Sequence, residues 1–120
     1  MHLARYSDRG GNNIKIKWFG DNSNLHRVWD SNMIDQYGMS YTEISQNLPK
    51  LKTSEISKIA NATLITWVNE SQDHAKNVYK TLPENINLGH LYQYNHFNTV
   101  QMHLLKGSVR LAALLDEIFK

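Results

Sequence analysis

Apolar residues alternate with lysines over Ile14-Lys15-Ile16-Lys17-Trp18-Phe19. Side chains two apart on a strand share a face, so this period of two predicts a short strand with Lys15 and Lys17 together on its solvated side. No partner strand is evident from the pattern, so the segment reads as a hairpin arm or as a loop on a helical body. Turn-forming residues flank it, Asp8-Arg9-Gly10-Gly11-Asn12-Asn13 before and Gly20-Asp21-Asn22-Ser23-Asn24 after. Such residues accept positive φ or form Asx turns.

From residue 25 the period becomes helical. Leu25, Val28, Trp29 and Ile34 recur on one face, with Ser23 or Asn24 as the cap and Tyr37-Gly38 as the end. Ser40 with Glu43 three residues on forms a capping box for a helix through about Leu48, stopped by Pro49. Thr53 or Ser54 then opens a longer pattern: Ile56, Ile59, Ala60, Leu64, Trp67, Val68, Ala75, Val78 and Tyr79. Taken as one helix to about Lys80, it spans about 40 Å. Residues 83–89 read as a linker. A last helix is predicted from about His90 to Phe119, with Val100, Leu104, Leu111 and Leu115 on one face and Gly107 as a site of close packing or a bend. The fold class is therefore mainly α with a short strand or hairpin near the N-terminus. It forms one unit over 1–120, with a polar front end at 1–24 and a helical bundle at 25–120.

Composition narrows the function. Hydrophobic residues at 41% and charged residues at 20% describe a folded domain rather than a disordered chain or a coiled coil. Zero cysteines exclude a thiol enzyme, a disulfide scaffold and a cysteine-ligated zinc finger. A net charge of +2 is too small for bulk attraction to phosphate, so any nucleic-acid binding has to rest on a local site. No apolar run approaches the length of a membrane span, and no signal peptide is visible behind Met1. The chain opens inside what reads as a functional loop, which leads us to expect a part of a longer protein.

His26 and Asp30 are the first candidates for chemistry. At i and i+4 they project to one face of a helix, and imidazole nitrogen with carboxylate oxygen suits zinc. Two ligands on one helix hold an ion loosely, so a third has to come from elsewhere; at this spacing a surface hydrogen bond is the commoner outcome. His2, ahead of the glycine-rich loop, is either a terminal residue or that third ligand. Glu70 and His74 repeat the spacing on the long helix with no polar loop nearby, and read as a solvated pair. His96 and His103 have aromatic and apolar neighbours and read as packing or surface residues, and His90 as a helix-start residue.

Gly10-Gly11-Asn12 combines backbone that a planar ring can approach with an amide that can pair with a base edge, or else is an ordinary turn. Trp18, Phe19 and Trp29 could stack on bases, although core packing is the default for Trp29. Asn61-Ala62-Thr63 and Asn69-Glu70-Ser71 match the glycosylation acceptor pattern and are set aside because both fall within the predicted long helix.

The order of these features carries a resemblance. His2, then Asp8-Arg9-Gly10-Gly11-Asn12, then the strand to Gly20, then Asn24-Leu25-His26-Arg27-Val28-Trp29-Asp30, resembles the zinc-dependent single-strand-specific nucleases of the S-one/P-one type. Trp67-Val68-Asn69-Glu70-Ser71 looks like that family's W-x-x-E-S on a long helix. The resemblance extends over the whole chain, and its specificity lies in the loop and the N-L-H-x-V-W-D block.

The resemblance implies a helical phospholipase C/nuclease-like fold with a cluster of three zincs in a cleft. It implies hydrolysis of phosphodiesters in single-stranded DNA and RNA to 5′-phosphate products, and removal of 3′-phosphates from nucleotides. His2, His26 and Asp30 match the three protein ligands of one zinc, and Gly10 and Asn12 match the loop lining the nucleobase site. A secreted or periplasmic location is implied as well. The family's N-terminal tryptophan and its H-x-x-G-D-x-H-Q-P-x-H segment have no counterpart here beyond a histidine matching the end of that segment. The chain is thus expected to be the C-terminal half, lacking the remaining zinc ligands and the carboxylate that orients water. Its expected partners are single-stranded nucleic acid or nucleotides, and the N-terminal half or a second copy of itself. Two other readings keep part of this picture: a zinc phospholipase C-like phosphodiesterase, and an inactive helical interaction module that keeps the fold without the cluster.

Overall fold

A computed structural model describes residues 8–120. The strand at the front end is a hairpin. β1 (Lys15–Trp18) pairs antiparallel with β2 (Asp21–Asn24), with Lys15 opposite Asn24 and Trp18 opposite Asp21. The register is set by a two-residue turn in which Phe19 and Gly20 have φ of 50° and 90°, the doubly positive geometry of a tight hairpin turn. Ile16 and Trp18 point into the core and Lys15 and Lys17 point out, as the alternation predicts. A third short strand, β3 (Asn87–Leu88), lies in the segment read as a linker and pairs parallel with β1. Lys17 and Phe19 donate backbone hydrogen bonds to Ile86 and Leu88, each at 2.8 Å.

The chain passes directly from β2 into α1 (Leu25–Arg27), a π-helical turn (Val28–Asn32) and α2 (Met33–Tyr37). Asn24 caps it, its side chain accepting from the Arg27 amide at 2.8 Å. Gly38 ends it with φ of 69°, the left-handed conformation that a helix C-terminus commonly needs. The capping box of Ser40 and Glu43 opens α3 (Tyr41–Gln46) as its sequence predicts.

The single long helix expected over 53–80 is two helices. α4 (Thr53–Ala60) ends at Asn61, and α5 (Leu64–Lys80) begins after Thr63, whose hydroxyl accepts from the Thr66 amide at 3.3 Å. The apolar stripe runs unbroken through this join because each helix presents its own face; the local signal was the threonine cap. Asn61 therefore lies in an exposed turn, so its helical setting is not a reason to set its acceptor pattern aside. Asn69 does lie within α5.

α6 (His90–Ile118) runs without interruption. Gly107 does not mark close packing, since a Cβ built there meets nothing within 4 Å.

α5 and α6 run antiparallel. Glu70 meets Arg110, His74 packs edge-on against His103, and the Arg110 guanidinium lies 5.1 Å over the Trp67 ring. The core forms where the α1–α2 segment and the hairpin cover one end of this helix pair. Leu25, Val28 and Met33 are fully buried there against Ala75, Val78, Phe97 and Val100. Trp29 is in this core, as expected, and its indole N–H donates to the Tyr92 hydroxyl at 3.0 Å. Burial pushes the Tyr92 hydroxyl up to about 12, against the opposing effect of the Trp29 bond, so it stays protonated at neutral pH.

Candidate metal and nucleotide site

The loop before β1 is wound tightly. Arg9, Gly10 and Gly11 are successive left-handed residues with φ of 55°, 69° and 88°. Two glycines in sequence allow this winding, which L side chains resist. The Asp8 carboxylate holds the loop from both ends. One oxygen accepts from the Gly11 amide at 3.2 Å, and the other accepts from the Tyr79 hydroxyl of α5 at 2.6 Å. Backbone bonds then fasten the loop to α1: the Gly11 carbonyl accepts from His26, and the Ile14 carbonyl from Leu25.

This packing brings the Gly10 carbonyl to 3.1 Å from His26 Nδ1. A carbonyl oxygen only accepts, so Nδ1 carries the proton and the neutral ring keeps its lone pair on Nε2. His26 Nε2 in turn stands 2.8 Å from Asp30 Oδ2. The facing groups are thus two electron-pair donors, and something positive has to lie between them. A proton, making imidazolium, satisfies the pair as a salt bridge; a divalent cation satisfies it as a ligand pair. Fixing the ring through Nδ1–H to a carbonyl is the usual support of a metal-binding histidine. The donor set therefore fits zinc. The two side chains are 25% and 42% exposed, so an ion can reach them from solvent.

Asp30 sits in the π turn, where Met33 N–H bonds back five residues to Val28. Such insertions in helices are often found at functional sites. Here the turn keeps Trp29 in the core and Asp30 exposed beside His26. Among the described residues no cluster of three or more His, Cys, Asp or Glu could hold a metal ion. His2, the third ligand expected from sequence, lies outside the described residues.

Gly10 and Asn12 do share the loop beside His26. Asn12 is exposed, with its amide nitrogen donating to the Arg9 carbonyl at 2.9 Å. Gly10 has a further part that sequence reading missed, since its carbonyl orients the ring of His26. Asp8 and Tyr79, the anchors of the loop, were missed as well. The Asx-turn preference of an aspartate before Gly-Gly was the available signal for Asp8.

Two other expectations change. Glu70 is not a solvated partner of His74. It accepts from Arg110 at 2.7 Å and from Lys106 at 3.1 Å across to α6. Partial burial raises its pKa, but the bonds from Arg110 and Lys106 outweigh that and hold the carboxyl below its ordinary value. His74 instead packs edge-on against His103, with ring centroids 4.4 Å apart. His96 packs on Trp29 and Tyr92 and His90 on Phe19, in keeping with their sequence readings. Trp18 is a core residue rather than a base platform.

A pocket of about 360 Å³ opens beside Asp30, lined by Trp29, Ile34, Val100, His103 and Leu104. It runs from Asp30 between Ile34 of α2 and Val100, His103 and Leu104 of α6. No helix among the described residues is long and apolar enough to cross a membrane.

The S1/P1 Nuclease family profile matches residues 1–120. Endonuclease 2 of Arabidopsis thaliana is 32% identical over 134 aligned residues, covering 99% of this chain and 46% of the relative. Endonuclease 5 of the same plant is 31% identical over 137, again covering 99% and 46%. Endonuclease 1 is 30% identical over 139, covering 99% and 44%. The chain spans about half the length of the curated relatives it matches. With the whole chain matched, and the loop and the His26–Asp30 pair assembled, the protein belongs to the S1/P1 nuclease family.

Proposed function

We propose that this chain supplies one zinc-ligand set and the nucleobase-side loop of a zinc-dependent nuclease. Its substrates are single-stranded DNA and RNA, cleaved at phosphodiester bonds to 5′-phosphate products, and 3′-nucleotides, from which it removes phosphate. The observation that carries this reading is His26 Nε2 facing Asp30 Oδ2 at 2.8 Å with Nδ1 already committed to the Gly10 carbonyl. That arrangement is a ligand pair whose tautomer is set before any ion arrives.

His26, Asp30 and His2 would hold the ion. Bound zinc supplies Lewis-acid stabilisation of charge developing on the phosphoryl oxygens. The Gly10 carbonyl fixes the imidazole plane, and Asp30 offers a carboxylate oxygen as a second donor. Asn12 is exposed in the same loop as Gly10, and its amide is suited to meet the edge of a base. The unsubstituted backbone at half-buried Gly10 leaves room for a planar ring. The names of the matched relatives, all endonucleases, support this reading over a phospholipase C-like one. Secretion or a periplasmic location is part of the same proposal, by likeness to the family.

The test is His26→Ala in the full-length nuclease, assayed on single-stranded DNA beside phosphatidylcholine. Cleavage of DNA should be abolished at unchanged helical circular dichroism, with no lipid hydrolysis in either form. Undiminished DNA cleavage by the variant would remove His26 from the site. Lipid hydrolysis by the parent would move the substrate to phospholipid.

A further inference from the structure

The hairpin that leads into His26 turns one face to the core and one to solvent. Directly opposed residues of a sheet share a face. The register therefore sets Lys15 beside Asn24, and Lys17 between Asn22 and Asn87, on the side away from buried Ile16 and Trp18. Both lysines are exposed, and neither forms an ion pair among the described residues. Asn24 Oδ1 already accepts from the Arg27 amide, and Asn87 Oδ1 from the Gly20 amide. Those bonds orient the two side chains and leave their N–H groups to donate outward. No carboxylate occupies this row of positions, since Asp21 opposes Trp18 in the alternate row. The face thus offers donors and positive charge, and it fits an anionic ligand rich in acceptors.

Spacing narrows the ligand. Lys15 and Lys17 are two strand steps apart, about 7 Å. That is the scale on which successive phosphates follow one another along an extended single strand. The Lys15 end of the sheet is fastened to the candidate site, where Leu25 donates to the Ile14 carbonyl and His26 to the Gly11 carbonyl. The track therefore begins beside the ligand pair and runs outward to the Phe19-Gly20 turn.

At that turn stands an aromatic ring in an unfavourable place. Phe19 has φ of 50°, at a position where glycine or asparagine is preferred and a bulky residue is strained. Such strain is tolerated most often where a side chain has work to do. Burial does not account for it, because Phe19 is 38% exposed. Its ring meets His90 edge-on, with centroids 4.6 Å apart. Tyr94, one turn beyond His90 on the same face of α6, is 85% exposed. A cationic track that ends in exposed rings suits unpaired nucleotides, which offer both phosphates and open base faces. A duplex keeps those faces stacked inside.

We propose that the outer face of this sheet holds single-stranded nucleic acid outside the metal site. Lys15 and Lys17 pair with successive phosphates, and Phe19 stacks on a base beyond them. The inference rests on the proposed nuclease function for the class of ligand, but its test uses neither zinc nor cleavage.

The probe is a short fluorescent oligothymidylate, titrated with this chain in chelator over a range of salt and followed by anisotropy. Lys15→Glu combined with Lys17→Glu should weaken binding about tenfold or more at unchanged circular dichroism. Two lost phosphate contacts should also flatten the slope of log affinity against log salt by about 1.4. Phe19→Asn keeps a residue that accepts positive φ, so the urea midpoint should hold or rise. Binding should nonetheless fall about tenfold with the salt slope unchanged, as for a lost stacking contact. No binding by the parent, both variants binding as the parent does, or equal affinity for a duplex of the same length would overturn the proposal. Binding through this face by a chain that takes up no zinc would support the proposal and count against the nuclease reading. A zinc-binding chain whose oligothymidylate affinity ignores all three substitutions would do the reverse.

Discussion

At the residue scale, the site depends on the atoms on either side of one imidazole. Sequence spacing brought His26 and Asp30 to one face, because i and i+4 positions of a helix are neighbours whatever surrounds them. It could not show the Gly10 carbonyl, since backbone groups look alike in every sequence. Nor could it show Lys106 and Arg110 reaching Glu70, 36 and 40 residues away in the chain. Gly11→Ala probes the loop that carries Gly10. With φ of 88° the added Cβ is strained, and a cost of about 1–2 kcal/mol is expected for a left-handed L residue. Urea denaturation should show that loss, with zinc affinity falling as the loop loosens around His26. His103 offers a separate test. Burial, then the neighbouring His74, depresses its pKa from 6.5 to about 4. Between these values the unfolded chain binds more protons than the folded one, so stability is full above about 6.5 and declines as pH falls toward 4. Half-buried His96 is lowered in the same direction by desolvation and adds to the decline. The urea midpoint should therefore drop on acidification across this window, and His103→Leu should flatten the drop. Equal slopes in the two proteins would discount His103.

At the element scale, what was legible followed from caps and periodicity. The alternation of Ile14 to Phe19, the Asn24 cap, the Ser40–Glu43 box and the helical face of His90 onward all hold. β2 was not legible because Asp21-Asn22-Ser23-Asn24 is a turn-forming sequence with low strand preference. It becomes a strand because the two-residue turn at Phe19-Gly20 lays it against β1. The break at residues 61–63 was hidden by a hydrophobic stripe that both helices share. Two substitutions with opposite signs check these assignments by chemical denaturation. Thr63→Ala removes the α5 cap and should cost about 1 kcal/mol. Gly107→Ala adds a methyl in open space within α6 and should stabilise by roughly 1 kcal/mol. A neutral Thr63→Ala would mean that α5 begins independently of its cap. A destabilising Gly107→Ala would mean that something packs closely there after all.

At the scale of the whole molecule, a helix pair carries a small hairpin and a π turn at one end, and that end gathers the loop, His26 and Asp30. Family membership follows from the match over residues 1–120 and agrees with this architecture. The claim on which the account turns is that His26 and Asp30 receive zinc rather than a proton. Zinc per chain, measured by elemental analysis after dialysis without chelator, tests it most directly, with His26→Ala measured alongside. The expected result is about one zinc per chain in the parent, as for one tetrahedral site, and none in the variant. A parent without zinc, or a variant that keeps it, would contradict the account and return the His26–Asp30 pair to an ordinary surface salt bridge.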